Sequence, residues 1–248
     1  MKKIETHFFP VIDSTNKYLS DLMNSGKEID GLCVRSAFQE TGKGLGQHTW
    51  HSEAGKNLLF SVGFNFSFLH ASQQFLISQM ASLAVFQVLQ QYVEKEKLRV
   101  KWPNDIYFEN RKLGGMLISN TINGMQLERS IIGLGINVNQ TDFPDSIPRP
   151  VSLKQLLNKD LDLEILLEKL LMNYLSFAEQ LKDDANKQKI ASQYLSILYR
   201  YDQVGWYAVD GKKMKLRITG IGEFGFLQTE DGLGNRYEFD MKEIEFLF

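Results

Sequence analysis

From residue 57 to residue 93 the chain carries no Asp, Glu, Lys or Arg. Charged side chains are what normally keep a surface segment in water, so this stretch has to lie inside the fold. A membrane span would need about 20 predominantly apolar residues. Here Asn65, Ser67, His70, Ser72, Gln73, Gln74, Ser78, Gln79 and Gln87 interrupt the run. The segment therefore reads as a buried strand followed by a largely buried helix. Leu58, Phe60, Val62, Phe64 and Phe66 alternate with Leu59, Ser61, Gly63 and Asn65, giving a strand with one strongly apolar face. Across 72–93, Leu76, Met80, Leu83, Phe86 and Val93 stand near helical spacing.

Other elements arrange themselves around that centre. Asp13-Ser14-Thr15-Asn16 are capping and turn residues, and Tyr18, Leu19, Leu22 and Met23 follow at helical spacing before Gly26. Ser14 and Thr15 thus belong at a helix N-terminus. Residues 31–38 read as a strand entering a glycine-rich loop, and 99–102 and 105–108 as short strands around Pro103. Residues 113–122 and 125–137 form two runs joined by Asn123-Gly124, a strong hairpin signal. Residues 141–150 hold three of the five prolines and read as a loop. An apolar stripe of Leu166, Leu167, Leu170, Leu171, Tyr174, Phe177, Ala178 and Leu181 predicts a helix over 163–182, with another over 186–198. After Arg200 the texture changes to short runs, 204–209, 213–221, 225–230 and 236–240, punctuated by Asp210-Gly211, Gly220, Gly222, Gly225 and Asp231-Gly232. That reads as a small all-β barrel with a domain boundary near residue 200.

At 248 residues, 43% hydrophobic and 23% charged, the chain has material for a sizeable core. A net charge of -2 gives no global cationic field for nucleic acid, although a local basic pocket stays open. With Cys33 alone there is no intrachain disulfide, and a reducing cytoplasm fits. Cys33 itself reads as a small buried hydrophobe. Residues 1–5 contain two lysines, but no apolar segment of the signal-peptide kind follows.

Four segments carry candidate chemistry. Gly42-Lys43-Gly44-Leu45-Gly46-Gln47-His48-Thr49-Trp50 lets backbone fold close around an anion. It is neither a Walker loop nor a dinucleotide fingerprint, and alone it equally suits a plain connector. In Lys101-Trp102-Pro103-Asn104-Asp105 the proline fixes a turn that holds Asn104 and Asp105 in one orientation. Asn can read a purine edge with a paired donor and acceptor, and Asp can hold Mg²⁺ or take a proton. A solvent-exposed polar turn is the bland alternative. Arg111-Lys112-Leu113-Gly114-Gly115 puts cations before a strand whose glycines leave room for a ligand, or else is a basic turn and a bulge. Gly133-Leu134-Gly135-Ile136-Asn137 again offers backbone room beside an amide. His48 and His51 lack partners for a usual zinc site, and there is no Gly-x-Ser-x-Gly elbow.

Taken together and in this order, these segments, with Gln39 and Asn57-Leu58, resemble the biotin–protein ligase family over roughly residues 5–140. The pair Lys-Trp-Pro-Asn-Asp and Arg-Lys-Leu-Gly-Gly is the specific part. The resemblance implies an α+β fold: a catalytic domain over 1–200 with a mixed β-sheet flanked by helices, as in class II synthetases, and an SH3-like β-barrel over 201–248. It implies that biotin carboxylate attacks the ATP α-phosphate, giving biotinyl-5′-AMP and pyrophosphate, and that an acceptor lysine then displaces AMP. The acceptor would be a biotin carboxyl carrier domain, and the chain a cytoplasmic monomer or homodimer without membrane or DNA partner.

The implied roles fall residue by residue. Lys112 would bridge the two anions, with Lys43 and Asp105 as further catalytic groups. Ser14, Thr15, Asn16, Gln39, Gly42, Gly44, Gly114, Gly115, Gly133 and Gly135 would join Lys112 around biotin. Lys43, Trp50, Lys101, Asn104, Lys112 and Asn137 would bind the nucleotide, with Trp50 stacked on adenine. Asp105 would place Mg²⁺ or accept the acceptor-lysine proton.

Two departures stand out. The family commonly shows Gly-Arg-Gly-Arg-x-Gly, whereas here Lys43 and Leu45 replace the arginines and the third glycine comes one residue early. Arg to Lys loses bidentate geometry and Arg to Leu loses the charge, so a loosely held adenylate is expected. The Asp-Ser-Thr-Asn motif begins at residue 13, so a DNA-binding domain before it, and direct transcriptional repression, are not expected. A lipoate–protein ligase is the enzymatic rival, though its Arg-Arg-x-x-Gly-Gly signature is missing. A non-catalytic biotin sensor is the rival of another class, and it has no use for Lys112.

Overall fold

The computed structural model describes residues 3–46 and 48–248, so Gln47 of the glycine-rich loop and residues 1–2 lie outside the described residues. β1 (Glu5–Ile12) leads into α1 (Thr15–Asn24), whose N-cap is Ser14, its side chain accepting from the Lys17 N–H. β2 (Leu32–Gln39) and β3 (Leu58–Asn65) precede α2 (Phe75–Leu89). β4 (Leu98–Lys101), β5 (Asp105–Phe108), β6 (Arg111–Asn123) and β7 (Gln126–Ile136) complete a seven-stranded sheet of order β1-β2-β3-β7-β6-β5-β4. Only β1 and β2 are parallel, so the sheet is mixed. The β6–β7 hairpin turns at Asn123-Gly124, where Gly124 takes φ 61°, a conformation that suits glycine.

Three helices follow: α3 (Leu153–Leu157), α4 (Leu163–Gln180) and α5 (Asp184–Ile197). Asp162 and Asp183 cap α4 and α5 by accepting from two backbone N–H groups each. α2 is apolar nearly all round because the sheet, α4 and α5 enclose it. It begins at Phe75, after a 3-10 turn over Ala71–Gln73 that uses up the predicted start of the helix. No helix of the described residues is long and apolar enough to cross a membrane.

β3 departs from the one-faced strand expected of it. Every residue but Asn65 is buried. Leu58, Phe60, Val62 and Phe64 join the main core, while the opposite face is covered by α1 and the Ile29 segment. A central strand covered on both faces keeps one polar residue, Ser61, because Thr15 supplies it a partner.

The C-terminal segment forms β8 (Val204–Val209), β9 (Lys212–Ile221), β10 (Leu227–Asp231), β11 (Arg236–Phe239) and β12 (Ile244–Phe246). Their order is β11-β10-β9-β8-β12, all antiparallel. The edge strands β11 and β12 do not pair with each other among the described residues, so the expected closed barrel is an open five-stranded sheet. It closes against the larger sheet instead. The Trp102 indole N–H donates to the Gly225 carbonyl at 2.9 Å, and the Phe75 ring fills the space where Gly225 has no side chain. Tyr207, Leu216, Ile218 and Leu227 belong to one contiguous core with α2 and β4.

Candidate active site

A cavity of about 1070 Å³ lies over β3, β6 and β7, roofed by the glycine-rich loop, the 143–150 loop and the edge of the C-terminal sheet. Most residues singled out in the sequence line it: Ser14, Thr15, Asn16, Gln39, Lys43, Gly44, Trp50, Lys101, Asn104, Asp105, Lys112, Gly115, Gly133, Gly135 and Asn137. Gly42 and Gly114 do not. A Cβ on Gly114 would lie 2.8 Å from the Gly135 carbonyl, so Gly114 faces the neighbouring strand. A Cβ on Gly42 would lie 2.7 Å from the Trp50 carbonyl, so Gly42 shapes the loop.

One end of the cavity is a polar cradle at the start of α1. The Thr15 backbone N–H and hydroxyl donate to Gln39 Oε1 at 2.8 and 3.0 Å, and the Thr15 and Ser61 hydroxyls are 2.8 Å apart. Asn16 Nδ2 donates to the Leu117 carbonyl at 3.1 Å. The floor beside it is Gly133, where a Cβ would come within 3.0–3.2 Å of Asn16, Leu117 and Ser61. Only a residue without a side chain keeps this slot open.

The middle holds the charges. Lys112 Nζ lies 2.6 Å from Asp105 Oδ1 and 5.9 Å from the Trp50 ring centroid. β5 and β6 bring the pair together, with Gly115 opposite Asp105 in register. A Cβ on Gly115 would stand 3.0 Å from Asp105 Oδ1 and 3.5 Å from Lys112 Nζ, so this glycine makes room for the ion pair. The Trp50 ring lies against Gly135, where a Cβ would meet it at 2.5 Å. Lys101 lines the far side. Burial pushes its ammonium below the ordinary lysine range, Asp105 works against that shift, and Lys112 adds to it.

The glycine-rich loop is a small hairpin: Lys43 and Thr49 form an antiparallel bridge, the Gly44 N–H donates to the His48 carbonyl at 2.7 Å, and the Trp50 N–H to the Gly42 carbonyl at 2.8 Å. Asn104 and Asn137 differ from the purine-reading picture. Asn104 Nδ2 donates to the Met116 carbonyl, and Asn137 Nδ2 to the Val151 carbonyl at 3.1 Å. Each amide group is engaged in holding backbone, which leaves the side-chain carbonyl oxygen to offer a ligand. Asp105 belongs to no group of three or more metal-ligating side chains among the described residues.

A model described as the biotin/lipoate A/B protein ligase family matches residues 8–137, the stretch that builds the slot, the ion pair and the glycine floor. The chain belongs to this family. It is 35% identical over 141 residues to the bifunctional ligase/repressor BirA of Escherichia coli, covering 56% of this chain and 42% of that protein. It is 29% identical over 232 residues to a human biotin–protein ligase, covering 90% of this chain and 31% of that protein. The chain thus spans less than half the length of these two relatives. Among solved structures, a biotin protein ligase from Aquifex aeolicus in complex with biotin and ATP superposes with a TM-score of 0.77 at 23% identity, covering 99% of this chain and 98% of that one. That last likeness is one of fold.

This member of the biotin/lipoate ligase family also has site residues that the sequence motifs did not mark. Ser61 was legible only as a hydroxyl inside an otherwise apolar strand. Arg149 sits in the proline-rich loop, whose composition said loop and nothing more. The Lys112 N–H donates to the Arg149 carbonyl at 2.8 Å, which ties that loop to β6. Asp210, Phe246 and Phe248 reach the cavity from the second sheet. No local pattern announces them, because only the docking of the two sheets brings them there.

Proposed function

We propose that the chain is a biotin–protein ligase, which forms biotinyl-5′-AMP from biotin and ATP and passes biotin to a lysine of a biotin carboxyl carrier domain. The observation that carries this reading is the position of Lys112. It lines the cavity that holds a glycine-floored slot, ending in hydroxyl and amide groups, together with Trp50 and Lys101, and its Nζ is 5.9 Å from the Trp50 ring centroid. The slot suits a small bicyclic ureido ring, held by Ser14, Thr15, Asn16, Gln39 and Ser61. The biotin side chain then leads its carboxylate to Lys112. Trp50 and the Asn104 and Asn137 carbonyl oxygens suit an adenine, with Lys43 and Gly44 closing over the adenylate.

Adenylation brings two anions together, and a fixed cation between them offsets their repulsion. A carboxylate oxygen forms a bond to the α-phosphorus, the bond to the β-phosphate bridging oxygen breaks, and pyrophosphate leaves with the electron pair. In the second step the neutral acceptor amine attacks the acyl carbon, the carbon–oxygen bond to AMP breaks, and the amine loses a proton. Lys112 serves both steps by stabilising charge on the phosphate. Asp105 orients Lys112 through the ion pair and is a carboxylate of the cavity able to take the amine proton. Asp105, already paired with Lys112, would hold Mg²⁺ only together with the ATP phosphates, on which the ion enters as part of the substrate.

The test is incubation with biotin, Mg-ATP and a carrier domain, read by intact mass. A biotin-sized gain is expected, with lipoate giving none. Lys112→Ala should lower biotin-dependent ATP–pyrophosphate exchange by about 10²–10³-fold, the usual cost of losing one preorganised transition-state donor. No gain in mass, or a Lys112→Ala variant as active as the parent, would sink the reading.

A further inference from the structure

Three of the cations that line the cavity are held in two different ways. Lys112 is ion-paired with Asp105. Lys101 and Arg149 form no ion pair among the described residues and rest instead on aromatic faces. Lys101 Nζ lies 4.7 Å from the Phe246 ring centroid and 5.7 Å from that of Tyr107. Arg149 Cζ lies 4.9 Å from the Phe248 centroid. Phe248 is itself stacked on Tyr107 at 6.0 Å with planes 5° apart, and the Arg200 guanidinium lies 5.4 Å from its centroid. β12 and the residues after it thus provide a row of rings under two cations from outside their own sheet, Lys101 of β4 and Arg149 of the 143–150 loop.

The two modes of support have different chemical consequences. A carboxylate partner neutralises a cation and competes with any incoming anion. An aromatic face attracts the cation through its quadrupole and leaves both the net charge and the N–H donors free. Arg149 is further fixed by its backbone. It takes φ 50°, and its carbonyl accepts from the Lys112 N–H. The Arg149 main chain therefore keeps a set relation to Lys112, and the Phe248 ring is what its guanidinium rests on. Around Lys101, burial is the largest influence and works against its charge, Asp105 and Glu245 support it, and Lys112 and Arg200 add repulsion. A multiply charged anion is the partner such a group lacks.

We propose that Phe246 and Phe248 are positioning residues of a polyphosphate subsite: their rings hold Lys101 and Arg149 unpaired at the cavity wall, where the β- and γ-phosphates of ATP, or free pyrophosphate, bind. This rests on the ATP-using reading above and adds the part of the site that receives the leaving group. The second sheet then contributes to nucleotide affinity through two rings that support cations from outside it.

Isothermal titration of inorganic pyrophosphate, ATP and AMP into the whole protein tests this, using Phe246→Leu, Phe248→Leu and the double variant. Leucine keeps the apolar contact and removes the quadrupole. Pyrophosphate and ATP should each weaken by roughly two- to fivefold per ring, the worth of one exposed cation–π contact. AMP affinity should stay as in the parent, and Phe246→Tyr and Phe248→Tyr should restore tight binding. Leucine variants that bind pyrophosphate and ATP like the parent overturn the proposal. So does an equal loss for AMP, which marks a general distortion of the cavity, and so do tyrosine variants as weak as leucine. A parent protein that binds ATP no better than AMP overturns the subsite alone. A parent that binds pyrophosphate but modifies no carrier domain leaves the subsite standing and removes the ligase reading.

Discussion

Lys101 shows how far a residue's chemistry departs from its letter. The sequence placed it beside a proline turn and gave it a nucleotide role; only the packed structure encloses its ammonium between the cavity and Phe246. Its proton affinity is depressed, mainly by burial. Two consequences of opposite sign follow. A lysine with a lowered pKa sheds its proton before the ordinary value of 10.5 is reached. ATP affinity should therefore begin to fall at a lower alkaline pH than a normal lysine would give. Lys101→Arg should hold its affinity further up the pH scale, because guanidinium stays charged. Stability runs the other way. The unfolded lysine binds its proton more tightly, so folding carries a penalty below the depressed pKa that is relieved as pH rises toward 10.5. The stability gap between the parent and Lys101→Met should shrink over that window. Parallel pH profiles of ATP binding and urea midpoint check both, and profiles that coincide for parent and variants would refute the assignment. Asn104 and Asn137 were legible as site residues but not in their orientation. Their amide partners are carbonyls of Met116 and Val151, which no local spacing foretells.

At the scale of elements, legibility followed length and period. α4 and the β6–β7 hairpin were readable because an apolar stripe and an Asn-Gly turn are local signals. β1 was not read as a strand, since Pro10 interrupts it; an edge position tolerates the missing N–H. α3 is five residues long, too short for a period, although Ser152 and Gln155 form a capping box that the letters do contain. β12 is three residues and exists by pairing with β8. The joint between the two sheets rests on a turn at Gly225, which takes φ 96° and would put a Cβ 2.2 Å from Phe75 Cδ2. Gly225→Ala violates both conditions. It should cost about 1–3 kcal/mol, the usual penalty for a strained left-handed residue or an overpacked contact. The urea midpoint should drop accordingly. ATP affinity should drop with it, because Trp102 donates to the Gly225 carbonyl and Lys101 precedes Trp102. Gly234→Ala, also at positive φ but away from the cavity and with nothing within 4 Å of the added Cβ, should lose less stability and bind ATP like the parent.

At the scale of the molecule, the change of texture near residue 200 marks a change of architecture without marking a break in the core. Tyr207, Leu216, Ile218, Leu227 and Phe246 are buried in the same cluster as Leu89, Val100 and Trp102. The Tyr199 N–H donates to the Val100 carbonyl at 2.8 Å, so the chain is bonded back to β4 just before it enters the second sheet. The family match at 8–137 covers the slot and the ion pair, yet the cavity also has a wall from the second sheet. If the cavity needs both sheets, a chain cut to residues 1–200 has lost part of its core as well as its cation supports. We expect the full chain to unfold in one calorimetric transition whose van't Hoff and calorimetric enthalpies agree. Biotin with ATP should raise that transition as a unit, because a ligand bound by both sheets stabilises both. The 1–200 fragment should be poorly soluble, with exposed apolar surface detectable by dye binding. Two resolved transitions, or a soluble fragment that forms adenylate at the parental rate, would show that the first sheet folds and works without the second.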